Sequence, residues 1–215
     1  METNPIETEV KFRIAKLSAL ENKIKALEGK LLHQNVFQRT VRLDTQNESL
    51  KERGVFLRVR DGEKKIMTIK SSLSSSDIAF KMKEELEIEV SDVEMAERML
   101  GKLGFTQKWI MEKYRTEYEL DGTILALDHL PFGDYLEIEG DKTSIEAIIK
   151  ILELERQERL TYSYWYLFND YKRANNIVAR DIIFEKNSVS SILETGLEAG
   201  SQLVKKILSL FKFKS

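Results

Sequence analysis

The segment Ile6-Glu7-Thr8-Glu9-Val10-Lys11-Phe12 restricts the fold more than any other stretch of the chain. Read with the two-residue period of a strand, it sets Glu7, Glu9 and Lys11 on one face and Ile6, Val10 and Phe12 on the other. One such strand would be an ordinary solvated sheet face. The pattern recurs, however, in Glu85-Leu86-Glu87-Ile88-Glu89-Val90 and in Glu137-Ile138-Glu139, with basic counterparts in Arg58-Val59-Arg60 and Lys113-Tyr114-Arg115. The residues alternating with the charges are mostly bulky and apolar. Five strands with charge in phase require a sheet that is apolar on one side and ionic on the other.

Helical segments supply the cover for the apolar side. Four Ser/Thr-x-x-Glu boxes, Ser18–Glu21, Thr45–Glu48, Ser91–Glu94 and Thr143–Glu146, mark helix starts. Apolar stripes follow at Leu20, Ile24 and Leu27, at Ala96, Met99, Leu100 and Leu103, and at Ile145, Ile148, Ile149 and Leu152. Gly29 closes the first helix, and residues 161–174 read as an aromatic helix. Asp61-Gly62 and Asp121-Gly122 predict hairpins, and 71–77 a polar loop. Hairpins joined to helices at segment ends give an α+β fold with a largely antiparallel sheet. If about eight strands close into a barrel with the helices outside, the charged sides line its interior. A dry interior of this kind would be ruinous, because unpaired buried charges are costly. It makes sense as a water-filled tunnel for a highly charged ligand.

Composition removes the competing chemistries. The chain has no cysteine and only His33 and His129, so thiolate sites and disulfides are excluded and a histidine triad has no support in the spacing. The net charge of −2 over 215 residues gives no nucleic-acid footprint. Neither a Gly-rich phosphate loop, a signal peptide nor a membrane span is visible, and a cytoplasmic protein is the expectation. What remains is ionic. Glu7, Glu9, Glu137 and Glu139 form an oxygen-rich set suited to Mg²⁺ or Mn²⁺. Lys11, Arg58, Arg60, Lys70, Lys113 and Arg115 suit a polyphosphate, Arg by its forked donors. Carboxylates, a metal and cations without a protein nucleophile point to metal-assisted phosphoryl or nucleotidyl transfer.

The ordered set of these motifs resembles the CYTH superfamily, the triphosphate tunnel metalloenzymes. The matching residues are Glu7-x-Glu9-x-Lys11, Leu57-Arg58-Val59-Arg60, Thr68-Ile69-Lys70, Lys83-Glu84-Glu85-Leu86-Glu87, Leu103-Gly104-Phe105, Glu112-Lys113-Tyr114-Arg115, Leu127-Asp128, Phe132 through Gly140, and Leu160-Thr161-Tyr162-Ser163-Tyr164. The resemblance spans about residues 5–172. It implies an eight-stranded antiparallel tunnel barrel that hydrolyses or cyclises triphosphates with Mg²⁺ or Mn²⁺. Glu7, Glu9, Glu137 and Glu139 would hold metal, supported by Asp128. Lys11, Arg58, Arg60, Lys70, Lys113 and Arg115 would grip phosphates. Glu85 and Glu87, on the opposite wall near a second metal or an activated water, join Lys11 as the catalytic set. Where the family commonly has an Asp and then a Tyr in the second strand, this chain has Thr40 and Arg42.

The expected organisation is a tunnel domain over 1–175 and a tail over 176–215. A helix beginning near Ser191, with Leu193, Leu197, Val204, Ile207, Leu208 and Phe211 as its stripe, ends among Lys205, Lys206, Lys212 and Lys214. It would dock on the domain, on a protein partner or on a membrane surface, and a second copy of the chain stays open as a partner. The leading function is a metal-dependent triphosphatase acting on tripolyphosphate or an organic triphosphate. The alternatives are an adenylyl cyclase making cyclic AMP from ATP, for which the sequence offers no clear adenine pocket, and an idle polyphosphate- or nucleotide-binding module.

Overall fold

Alternation at this density leaves the charged faces only one shared refuge, and the sheet closes around it. The computed structural model describes residues 6–72 and 79–184. The strands are β1 (Ile6–Ile14), β2 (Lys30–Thr45), β3 (Val55–Asp61), β4 (Ile66–Ser72), β5 (Lys81–Glu89), β6 (Phe105–Leu120), β7 (Thr123–Leu130) and β8 (Gly133–Glu139). They form a closed barrel in the order β1-β5-β4-β3-β2-β6-β7-β8, with every neighbouring pair antiparallel. The first and last strands join directly, Glu9 opposite Glu139 and Lys11 opposite Glu137.

Helices α1 (Leu17–Ala26), α2 (Ser49–Glu52), α3 (Val93–Lys102), α4 (Lys142–Ile151) and α5 (Tyr164–Asn175) cover the apolar faces. Leu20 and Ile24 of α1 and Ile145, Ile148 and Ile149 of α4 pack on Val10, Phe12, Leu125 and Ile138. A second cluster joins Leu50 and Val93 to Val41, Leu43, Leu57 and Val59. A third lies at one end of the barrel, where Tyr164, Leu167 and Phe168 of α5 meet Trp109, Leu130, Phe132 and Tyr135. Each fully buried Leu, Ile or Phe contributes roughly 1.5–3 kcal/mol, so these seams hold the ionic interior shut.

Local signals and observed caps differ in register. Asp92, not Ser91, caps α3 by accepting from the Met95 amide at 2.8 Å. Asp141, not Thr143, caps α4 through the Thr143 and Ser144 amides. In both places a nearby aspartate, one residue after Ser91 and two before Thr143, reaches the free amides first. α1 begins at Leu17 without a side-chain cap, so Ser18 lies inside the helix. Its left-handed terminating residue is Glu28, at φ 60°, and Gly29 instead passes close to Ile24. Asp121 and Gly122 both take positive φ, as a type I′ hairpin requires, whereas the β3–β4 connection is a longer loop and Asp61 stays in its strand. The stripe of α3 is only partly covered: Met99 and Leu103 are 63% and 74% exposed.

The compact unit extends to Ile183, beyond the expected boundary at 175. Ile182 is fully buried, bridges to Met111, donates to the Ile110 carbonyl at 2.8 Å and accepts from the Glu112 amide at 2.7 Å. Among the described residues no helix is long and apolar enough to cross a membrane. The expected tail helix from Ser191 and most of the 71–77 loop lie outside the described residues.

Candidate active site

Strand alternation puts Glu7, Glu9 and Lys11 of β1 inside the barrel, with Glu137 and Glu139 of β8 beside them. Carboxylate oxygens of Glu7, Glu137 and Glu139 come within 4.8 Å of one another. Their environments differ. Burial would raise Glu137, but Lys11 at 3.0 Å and Arg115 at 3.5 Å outweigh it and hold its carboxyl well below the usual range. Glu7 is also burdened by burial yet is lowered overall, with Lys70 at 2.6 Å. Burial and the neighbouring charges of Glu7 and Glu137 push Glu139 up to about 7. A crowded triad in which one carboxyl is held partly protonated by its neighbours is what a cation would relieve. All three donors are hard oxygens, so the residues present fit Mg²⁺ or Mn²⁺, the former keeping several of its own waters.

Glu9 lies apart from this triad. Although it stands opposite Glu139 in the β1–β8 register, it bonds Lys11 at 2.7 Å and also pairs with Lys81, so it aims two ammonium groups. Asp128 is likewise elsewhere. Fully buried, it takes Arg115 through both Nε and Nη2 at 2.6 Å, Lys113 at 3.0 Å and the Tyr164 hydroxyl at 2.7 Å. With four donors on two oxygens it is saturated, and its place is to fix the two cations.

The opposite wall brings the remaining expected residues together. Lys70 bridges Glu7 and Glu85, the latter at 2.8 Å, and Arg58 reaches both Glu85 and Glu87 at 3.3 Å. Thr68 accepts from Arg58 Nε and donates to Glu87 at 2.7 Å. Burial, only partly offset by Lys70, pushes Glu85 up to about 8, and it shares a hydrogen bond with Glu7. Burial and the adjacent Arg115 depress Lys113 to about 7; burial, Arg58 and Arg115 bring Arg60 to about 10. Lys11 is raised despite its burial, because Glu137 and Glu9 flank it.

Lys81, Lys83 and Arg42 also line this cavity of about 690 Å³ and were missed. The signal for the first two was present, since Lys81 and Lys83 stand in phase with Glu85 and Glu87. Arg42 reaches Asp44 at 2.7 Å, which accepts the Leu50 and Lys51 amides of α2. α5 is tied to one end of the cavity by Tyr164, whose ring has the Lys11 and Lys113 ammonium groups each 5.4 Å from its centroid.

A closed barrel whose interior pairs a carboxylate triad with a lining of lysine and arginine defines a tunnel for polyanions. The model of the CYTH domain matches residues 5–163, and the chain belongs to that family. Its members are metal-dependent enzymes of triphosphatase or cyclase type. The chain is 26% identical over 149 residues to a Methanocaldococcus jannaschii protein named "Putative adenylate cyclase MJ0240", covering 69% of this chain and 84% of that one. The PH1012 protein of Pyrococcus horikoshii superposes with a TM-score of 0.64 at 27% identity, over 75% of this chain and 98% of its own. HpAC1 of Hippeastrum, an adenylyl cyclase candidate described as having a dominant triphosphatase activity, shares the fold with a TM-score of 0.59 at 22% identity, over 76% and 95%.

Proposed function

We propose that this chain is a divalent-metal-dependent triphosphatase. The observation that carries the reading is the Glu7–Glu137–Glu139 triad set against Lys11, Lys70, Arg58 and Arg115 in one cavity. The cations exchange their carboxylate partners for phosphate oxygens and hold the chain of phosphates in line. Mg²⁺ or Mn²⁺ at the triad would offset charge on those oxygens. Water attacks the terminal phosphorus, and the bridging P–O bond breaks with its electron pair leaving on the diphosphate. Of the two wall glutamates Glu87, kept ionised despite its burial by Thr68, Arg58 and Arg60, takes the water's proton, Glu85 being held protonated by burial. Lys11, flanked by Glu9 and Glu137, stays charged and meets the negative charge that develops.

The name of the archaeal relative favours a second reading, in which a ribose hydroxyl of ATP is the nucleophile and cyclic AMP and diphosphate are the products. The test is product analysis with tripolyphosphate, thiamine triphosphate and ATP, each with Mg²⁺ or Mn²⁺. Orthophosphate without cyclic nucleotide supports the triphosphatase. Cyclic AMP overturns it in favour of the cyclase, and no turnover of any leaves a polyphosphate-binding module.

A further inference from the structure

The helices leave one stretch of the barrel wall open. The outward residues of β4 and β5 alternate with the ionic lining, Met67 standing opposite Ile88 and Ile69 opposite Leu86. Met67 is drawn into the cluster beneath α3, whereas Ile69 is 40% exposed and Leu86 and Ile88 are each 57% exposed. Beside them runs an open flank of α3. Val93, Ala96 and Leu100 turn inward onto β2 and β3, and Glu97 lies within electrostatic reach of Arg39 on β2. At about 3.6 residues per turn, Met95, Met99 and Leu103 lie on the flank opposite Glu97, away from β2 and toward β4 and β5. Val90, two residues beyond Ile88 on the same face, packs into the α3 cluster and joins the two surfaces. Scattered exposed apolar side chains are ordinary, but six that adjoin across a helix and a sheet mark a contact surface.

The charges around this surface indicate what fits it. Glu84 of β5, in phase with Leu86, and Glu94 of α3 are matched by Arg98 and Lys102, so the rim carries both signs in equal number. It is answered by a rim of the same make-up, not by a partner of one charge. The apolar stripe is also symmetric, because Met95 and Leu103 stand four residues to either side of Met99. Two copies of α3 laid antiparallel about a twofold axis at Met99 set each Met95 against the partner's Leu103. They also bring the acidic first turn of one helix beside the basic last turn of the other, with the helix dipoles opposed. We infer that this face joins two copies of the chain in an isologous dimer centred on Met99, with Ile69, Leu86 and Ile88 at its edge. The inference is independent of what the tunnel hydrolyses.

Sedimentation velocity of the full chain, from about 1 to 100 μM, tests it. The parent should sediment at twice the 25.0 kDa chain mass. Met99→Glu and Leu86→Glu should each weaken association about tenfold or more, with the circular dichroism spectrum unchanged. Glu94→Lys and Lys102→Glu should each weaken it as well, and the double exchange should restore it, since each charge then meets its opposite again across the axis. A parent that stays monomeric throughout overturns the inference. So does a dimer that persists in Met99→Glu and Leu86→Glu, which another surface must then hold. A double exchange no stronger than either single change overturns the antiparallel pairing of the helices.

Discussion

Tyr164, the first residue of α5, donates its hydroxyl to Asp128 at 2.7 Å, so the helix at one end of the barrel is tied to the carboxylate that holds Arg115 and Lys113. The bond is buried and its acceptor is charged, which places it among the stronger hydrogen bonds. Tyr164→Phe should lower stability by roughly 1.5–3 kcal/mol in urea unfolding. A variant as stable as the parent would mean that Asp128 is fully satisfied by its two cations.

Glu137 and Glu139 are two residues apart on one strand and should respond in opposite directions to the loss of charge. Glu137→Gln leaves Lys11 and Arg115 short of a partner, and a broken buried pair costs roughly 3–5 kcal/mol. The low end is expected, because Lys11 keeps Glu9 and Arg115 keeps Asp128. Glu139→Gln removes a charge that its neighbours disfavour, so the metal-free protein should melt at a higher temperature while its stabilisation by Mg²⁺ and its turnover fall sharply. Thermal melts with and without Mg²⁺ separate the two cases.

The same crowding sets a pH dependence. Glu139 titrates near 7 in the folded protein against 4.5 ordinarily, so between those values the folded state holds the extra proton. The metal-free protein therefore loses this contribution as pH rises from about 4.5 through 7. Glu85, at about 8, extends the window upward. A metal binds the ionised triad and must expel that proton. Affinity for Mn²⁺ should rise about tenfold per pH unit below 7 and level off above it. Calorimetric titrations across pH 5.5–8.5 check this, and a flat profile would show that Glu139 is not a ligand.

Gly29 offers a test away from the site. A Cβ there would come 2.6 Å from Ile24 Cγ2 and 3.0 Å from the Ile24 carbonyl oxygen. Gly29→Ala should cost about 1–3 kcal/mol by forcing α1 off its seam. A substitution that leaves the denaturation midpoint in place would mean that the turn after α1 can shift freely.

The barrel was legible because a two-residue period is a local property, and five strands carried the same charged phase. Asp121-Gly122 was legible for the same reason, since both residues tolerate the conformation their turn needs. The surroundings of a carboxylate were not. Glu9 and Asp128 look like Glu139 in one dimension, yet Lys81 on β5 and Tyr164 on α5 claim them, and those partners are 72 and 36 residues away. Caps slipped by a residue or two because Asp92 and Asp141 compete with the hydroxyls beside them. The stretch after 175 carries no strand signal of its own; Ile182 is ordered by its two backbone bonds to β6.

Closure of the ring through β1 and β8 has a consequence for how the chain is made. Residues 6–14 emerge first, and one of their two partners lies at 133–139. Until that late segment is synthesised, β1 and β7 present bare edges, and Glu7, Glu9 and Lys11 cannot be sealed from bulk water. Folding thus waits on a contact of long sequence separation, which makes it intrinsically slow, and the nascent sheet is open to wrong pairings in the meantime. The early strands gain some protection from their own polarity: a half-formed sheet whose inner face is crowded with glutamate, lysine and arginine stays hydrated until the last strand arrives.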